Sequence, residues 1–206
     1  MKKAVIFDLD GTLWDSSESV AAAWNTVFSR CPDIPRRITV SDMHGYMGKT
    51  LDKIAPLALP DTPEPRRSEV LWEGVRYEQE YIAQHGAKLY PTLEQLRREY
   101  ALIIVSNCQD GYIQCFFEFS GLRELFADFE SAGATGLSKG ENIRLVIQRN
   151  GIDRAVYVGD TQGDLDSADF AGVPFIRAAY GFGQMNREVP EISEFSELPA
   201  AVKFVL

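Results

Sequence analysis

The chain is 206 residues long and 45% hydrophobic, and its 21 Lys and Arg against 30 Asp and Glu give a net charge of −9. This composition supports one large core, or a main domain with a smaller insertion, and excludes a disordered or fibrous protein. Because no stretch concentrates Lys and Arg, nucleic acid and anionic membranes are disfavoured as partners. The N-terminal apolar run is too short for a signal peptide and no later run approaches a membrane span, so we expect a cytoplasmic protein.

Short apolar runs alternate with helical patterns along most of the chain. The runs expected to form strands lie, in chain order, at 4–7, 101–105, 126–131, 155–158 and 173–176, with 126–131 the weakest. Helical patterns occupy 92–100, 111–119 and 141–150. This alternation predicts an α/β fold, a Rossmann-like parallel sheet with helices on both faces.

One segment breaks the alternation, because the pattern from residue 15 to about residue 88 is helical throughout. On its first helix Val20, Trp24, Val27 and Phe28 share a face. We therefore predict an all-helical cap domain at 15–88, inserted into a Rossmann-like core formed by 1–14 and 89–206, with hinges near 13–16 and 88–91.

Acidic loops follow two of the predicted strands. Asp8 and Asp10 come directly after the first strand, and Asp160 and Asp164 follow the strand at 155–158. In open parallel sheets the functional crevice lies beyond the carboxyl ends of the strands. Carboxylates that converge there raise one another's pKa unless a cation compensates, and hard oxygen ligands suit Mg²⁺, which also accepts phosphate oxygens. The sequence thus predicts a magnesium site that also binds an anion.

Donors for such an anion lie in the neighbouring loops. Ser106 and Asn107 follow the strand at 101–105, Gly11 and Thr12 close the first acidic loop, and Lys139 opens the helix before the strand at 155–158. Hydroxyl, backbone amide and ammonium groups are the usual partners of phosphate oxygens. We take these five residues as candidate phosphate-binding residues.

The motifs in this order resemble the haloacid dehalogenase superfamily of phosphohydrolases, in particular its phosphoglycolate-phosphatase-like branch with a helical cap. "DLDGT" at 8–12, "VSN" at 105–107, Lys139 and "GDTQGD" at 159–164 are similar to the four motifs of that superfamily, and "YGFG" at 180–183 resembles a loop of the branch. The resemblance covers essentially the whole chain.

The resemblance implies covalent catalysis by the first acidic loop. Asp8 would attack phosphorus and form an aspartyl phosphate, and Mg²⁺ would be held by the carboxylates of Asp8 and Asp160 and the backbone carbonyl of Asp10. Asp10 would protonate the leaving oxygen and later accept a proton from water. Side chains two apart on an extended strand end point to the same side, so Asp8 and Asp10 can flank one phosphoryl group.

The remaining motif residues would support the phosphoryl group. By the same resemblance, Ser106 and Lys139 would hold its oxygens and neutralise their charge. Asp164 would orient Lys139 or a metal-bound water.

The sequence leaves several substrate classes open. Lys49, beside the flexible Gly48, offers a positive charge to a second anionic group, which favours a small phosphorylated acid such as phosphoglycolate. Alternatives are a beta-phosphoglucomutase-like phosphotransferase, or a phosphatase of sugar phosphates or nucleoside monophosphates. Asp10 speaks against a metal-free haloalkanoic acid dehalogenase, and the intact motif set speaks against a binding protein without turnover. We expect a small phosphorylated metabolite as partner, no nucleic acid or membrane, and a monomer or homodimer.

Overall fold

The computed structural model describes residues 1–89 and 93–206. Its strands are β1 (Lys3–Phe7), β2 (Trp14–Asp15), β3 (Lys88–Leu89), β4 (Ala101–Ser106), β5 (Phe126–Ser131), β6 (Arg154–Gly159), β7 (Phe175–Ala178) and β8 (Glu191–Ile192). Its helices are α1 (Ser17–Ser29), α2 (Val40–Tyr46), α3 (Leu51–Ala58), α4 (Arg66–His85), α5 (Glu94–Arg97), α6 (Tyr112–Ser120), α7 (Ala132–Thr135), α8 (Lys139–Arg149), α9 (Gln162–Ala171) and α10 (Leu198–Val205).

Six strands form one parallel sheet in the order β5-β4-β1-β6-β7-β8, which confirms the predicted Rossmann-like α/β fold. Residues of β1 alternate between two apolar layers: Val5 and Phe7 pack into one, and Ala4 and Ile6 pack into the other. All four are fully buried. Because both faces of the sheet are covered, the central strands are continuous apolar runs in the sequence.

Helices α1 to α4 lie between β1 and β4 in the chain, and α1 packs against α4. The predicted face of α1 is buried, with Trp24 against Gly74 of α4. The expectation of helix throughout was wrong at the two ends of the segment. Asp15 and Lys88 instead pair as antiparallel neighbours in the ribbon formed by β2 and β3. Two-residue strands are too short to leave a periodic signal, which is why the pattern did not reveal them.

Two other elements differ from the predictions. The last predicted strand begins two residues later, at Phe175, and the short edge strand β8 was not predicted. The helix expected at 92–100 is reduced to α5, and the predicted hinge residue Pro91 and helix start Thr92 lie outside the described residues. Within the described ranges no helix has the length and apolar character needed to cross a membrane.

Candidate active site

The sheet order brings the predicted loops together. Strand β1 lies between β4 and β6, so Asp8 after β1, Ser106 at the end of β4 and Asp160 after β6 meet at one edge of the sheet. All three side chains are buried. The parallel arrangement thus gathers at one point polar groups that lie far apart in the sequence.

Lys139 links two of the carboxylates. A capping box formed by Ser138 and Glu141 starts α8, which makes Lys139 its first residue. The Lys139 ammonium lies 2.9 Å from Asp8 Oδ1 and 2.6 Å from Asp164 Oδ1, with the Lys139 side chain 1% exposed. Burial disfavours the ammonium, but the attraction of Asp164 and Asp8 outweighs burial and raises the pKa of Lys139. Lys139 is therefore a fixed buried cation beside Asp8.

Asp164 is held by its own helix start. Thr161 caps α9, and the Asp164 carboxylate accepts hydrogen bonds from the Thr161 backbone N (2.9 Å) and hydroxyl (2.6 Å) in addition to Lys139. The backbone N of Asp160 lies 3.2 Å from the same carboxylate. Asp164 thus fixes both Lys139 and the backbone that carries Asp160.

The loop at 180–183 packs closely against Asp160. Phe182 N donates to Asp160 Oδ2 at 2.7 Å, and a Cβ added to Gly181 would lie 2.3 Å from Asp160 Cβ. Gly11, with φ of +79°, also packs against Asp160, and a Cβ added to it would lie 2.4 Å from Oδ2. These glycines allow the backbone to approach the carboxylate closely.

The carboxylates of Asp8, Asp160 and Asp164 each place an oxygen within 4.8 Å of the others. Burial, and after it the charge of Asp164, raises the pKa of Asp8 to about 7. Burial and the charges of Asp164 and Asp8 raise the pKa of Asp160 well above its ordinary value. Asp8 Oδ2 and Asp160 Oδ1 are buried without a hydrogen-bond partner among the described residues. Buried carboxylate oxygens without donors fit a divalent cation with oxygen ligands, such as Mg²⁺.

Asp10 belongs to a separate network. Its Oδ1 accepts hydrogen bonds from Trp14 Nε1 (2.8 Å), Ser16 Oγ (2.7 Å) and Tyr112 OH (3.1 Å). Burial raises the pKa of Asp10 to about 6, although these three donors counteract it. We did not predict the three donors. Trp14 and Ser16 lie near Asp10 in the chain, but Tyr112 is 102 residues away and left no local signal.

The remaining candidate phosphate-binding residues have different environments. Ser106 Oγ accepts a hydrogen bond from Cys108 N at 3.3 Å, and Thr12 Oγ1 is buried without a partner in the described part of the chain. Asn107 Nδ2 donates to the carbonyl of Gly48, which precedes α3, at 2.9 Å. Lys49 is exposed and its ammonium donates to the Gly45 carbonyl. Thr12 therefore lies in the first acidic loop and Ser106 at the end of β4. Asn107 is bonded to the loop between α2 and α3, and Lys49 of that loop is bonded back to α2.

A cavity of about 70 Å³ separates the strand ends from α1 to α4. Asp8, Asp10 and Ser106 lie at the sheet side, and Lys49 and Met47 belong to the loop between α2 and α3. Glu78 of α4 also lines it and is 6% exposed, and burial raises its pKa to about 8. We did not predict Glu78, although helical spacing places it on the same buried face of α4 as Val75 and Ile82, and that spacing was the signal that could have identified it.

The chain is similar to known proteins in sequence and in structure. A family model described as haloacid dehalogenase-like hydrolase matches residues 5–178. A phosphoglycolate phosphatase of Synechococcus elongatus is 30% identical over 197 residues, covering 87% of this chain and 85% of that protein. A haloacid dehalogenase-like hydrolase of Streptococcus pneumoniae is similar in structure, with a TM-score of 0.81, 22% identity and 98% of each chain covered. A predicted phosphoglycolate phosphatase of Haemophilus somnus gives 0.83 at 19% identity, again with 98% of each chain covered.

Proposed function

The chain belongs to the haloacid dehalogenase-like hydrolases, as a phosphatase, and from that membership we propose that it hydrolyses a small phosphate monoester through an aspartyl phosphate on Asp8, with Mg²⁺ as cofactor. The observation that carries the proposal is the environment of Asp8. Its carboxylate is buried, lines the cavity, pairs with Lys139 and lies beside Asp160 with Oδ2 unpartnered among the described residues. Such a carboxylate is fixed in place and has an oxygen available for attack.

In the first step, an oxygen of Asp8 attacks phosphorus and the bond from phosphorus to the leaving oxygen breaks. Asp10 gives its proton to that oxygen, so that a neutral alcohol departs. A pKa of about 6 leaves part of Asp10 protonated near neutral pH, as an acid of this kind requires. The product of this step is a phosphoryl group bonded to Asp8.

In the second step, water attacks the same phosphorus while Asp10 accepts its proton, and the bond to Asp8 breaks to release inorganic phosphate. Ser106 and Lys139 donate to the phosphoryl oxygens in both steps, and Asp164 keeps Lys139 in place. Of the other candidate anion donors, Thr12 would contribute its hydroxyl. The backbone amide of Gly11, which we expected to bind the anion, instead donates to the carbonyl of Trp14 at 2.8 Å.

The carboxylates of Asp8 and Asp160 and the backbone carbonyl of Asp10 would hold Mg²⁺, which when bound offsets the negative charge of the site and of the phosphoryl group.

We expect excess chelator to abolish phosphate release and Mg²⁺ to restore it. Ca²⁺ should not restore it, since the larger and looser Ca²⁺ shell misplaces Asp8. Because the ion binds the folded chain, Mg²⁺ should also raise the melting temperature. Activity that persists in full in excess chelator, with no effect of Mg²⁺ on melting, would contradict the metal site.

Tyr112→Phe tests the role of the Asp10 network. Phe keeps the edge contact with Trp14 at 5.5 Å between ring centroids but removes the hydrogen bonds of the hydroxyl to Asp10 and to Ser16. We expect kcat/KM for an alkyl phosphate to fall by roughly three- to tenfold, in line with the loss of the one bond that reaches Asp10 directly. Para-nitrophenyl phosphate should be affected less, because its leaving group needs little protonation. Equal losses for both esters, or a loss matched by the control Tyr81→Phe on α4, would argue against a positioning role.

We further propose that 15–88 form a cap domain over a core of 1–14 and 89–206, and that the cap selects the leaving group.

Phosphoglycolate is the first substrate to test, because the similar protein from Synechococcus elongatus is named a phosphoglycolate phosphatase. A screen of small phosphoesters with Mg²⁺, measuring released phosphate, tests the function as a whole. Return of the phosphoryl group to a second alcohol instead of water would indicate the phosphotransferase alternative.

A further inference from the structure

The cavity contains a buried carboxyl that the mechanism above does not use. Glu78 lies on α4, and its carboxyl accepts a hydrogen bond from Trp24 Nε1 of α1. This is the only hydrogen bond that the Glu78 side chain makes with the described residues. Glu78 lines the same cavity as Asp8 and Asp10. A carboxyl kept in such a place with one neutral donor is costly unless another group completes its hydrogen bonding.

The wall of the cavity that α1 to α4 contribute is mostly apolar. Val20, Met43, Ile54 and Val75 line the cavity on the side of the cap helices. A leaving group that enters this space loses its water, and its polar atoms then need partners on the wall. Glu78 is the acidic partner available there.

Positive charge is scarce in the same space. Lys49 is the one cation among the described residues that line the cavity, and it is exposed with its ammonium on the Gly45 carbonyl. Burial raises the pKa of Glu78 to about 8, and the charge of Asp10 adds to the effect. A negatively charged leaving group at this end would meet the charge of Asp10 and, among the described lining residues, no cation other than Lys49. A hydroxyl would complete the hydrogen bonding of the Glu78 carboxyl, and an ammonium would also favour its charged form.

We propose that Glu78 and Trp24 form the leaving-group end of the substrate site, and that this end selects phosphate monoesters whose leaving alcohol carries a hydrogen-bond donor, a hydroxyl or an ammonium, and no second negative charge. The inference rests on the proposed phosphatase function and deepens it by naming the substrate class. It separates this chain from an enzyme that acts on a phosphorylated acid.

The test compares four esters with leaving groups of similar size: phosphoglycolate, hydroxyethyl phosphate, aminoethyl phosphate and propyl phosphate. With Mg²⁺ present, kcat/KM for the hydroxyethyl or the aminoethyl ester should exceed that for phosphoglycolate and for propyl phosphate by roughly tenfold or more. Para-nitrophenyl phosphate reports on the phosphoryl-transfer chemistry separately. A wild-type preference for phosphoglycolate or for propyl phosphate would overturn the inference.

Variants at Glu78 show which donor of the leaving alcohol, a hydroxyl or an ammonium, the carboxyl recognises. Glu78→Gln keeps an oxygen that can accept from Trp24 but carries no charge, so it should remove a preference for the ammonium and retain a preference for the hydroxyl. Glu78→Leu should remove both. The matched control Glu80→Gln, at an exposed position of the same helix, should change none of the ratios.

The outcomes separate the two levels of the proposal. If Glu78→Gln and Glu78→Leu change the rates of all four esters in the same proportion, Glu78 only supports the Trp24 side chain and the inference is wrong, while the phosphatase function stands. If neither para-nitrophenyl phosphate nor any of the four esters is hydrolysed by the wild-type protein, the proposed function fails and the inference fails with it.

Discussion

Asp8→Asn is expected to lower kcat for any phosphate monoester by at least about a thousandfold, because a carboxamide cannot replace the carboxylate oxygen that attacks phosphorus. The fold should survive the change. Asn has nearly the same volume as Asp, and Lys139 keeps its ion pair with Asp164 at 2.6 Å. Initial rates of phosphate release, together with circular dichroism of both proteins, measure the two parts of this expectation.

Asp61→Asn is the matched control for this substitution. Asp61 is exposed and remote from the cavity lining, so the same chemical change there should leave kcat within about twofold of the wild-type value. An Asp8→Asn protein with near wild-type turnover would rule out Asp8 as the nucleophile. Loss of activity in both variants would point to an effect on folding.

Lys139→Met is expected to be as severe for turnover and also to destabilise the chain. The ammonium pairs with Asp8 and Asp164, and all three side chains are almost fully buried. Without it, the carboxylates of Asp8, Asp160 and Asp164 share one site with no cation, so removing one partner should cost about 3–5 kcal/mol in the free energy of unfolding. Urea unfolding in excess chelator measures this cost.

Addition of Mg²⁺ should recover part of the stability lost in Lys139→Met, since a bound cation offsets the carboxylates, but it should not recover turnover, because the phosphoryl oxygens still lack the ammonium. Lys203→Met, at an exposed position in α10, serves as the control and should change neither property. A Lys139→Met protein as stable as the control in chelator would mean that the buried carboxylates do not depend on Lys139.

The parts of the fold that sequence could predict are those with a local signal. The continuous apolar run of β1 indicates a strand covered on both faces. Gly159 at the end of β6 and the carboxylates that follow it indicate a candidate functional site at that strand end. Since parallel strands end at one edge, the meeting of Asp8, Ser106 and Asp160 follows from the order β4-β1-β6. The helices between β1 and β4 were predicted from their periodicity.

The parts that sequence could not predict depend on how elements pack. Tyr112 reaches Asp10 across 102 residues because α6 follows β4 and lies beside the first acidic loop. Glu78 meets Trp24 across 54 residues, at a position set by how α1 and α4 cross. Lys49 was predicted as a substrate contact from its charge beside Gly48. The structure places Lys49 on the cavity wall with its ammonium bonded to the carbonyl of Gly45 in α2, a partner that the sequence did not reveal.

Trapping the covalent intermediate tests the central claim most directly. The protein is mixed with a phosphate monoester and Mg²⁺, quenched in acid during turnover and reduced with borohydride, which converts an aspartyl phosphate into homoserine. Peptide mass spectrometry then locates the reduced residue. We predict homoserine at position 8 in the wild-type protein, none in Asp8→Asn, and unmodified Asp10, Asp160 and Asp164. Turnover with no residue reduced, or reduction at another aspartate, would contradict nucleophilic catalysis by Asp8.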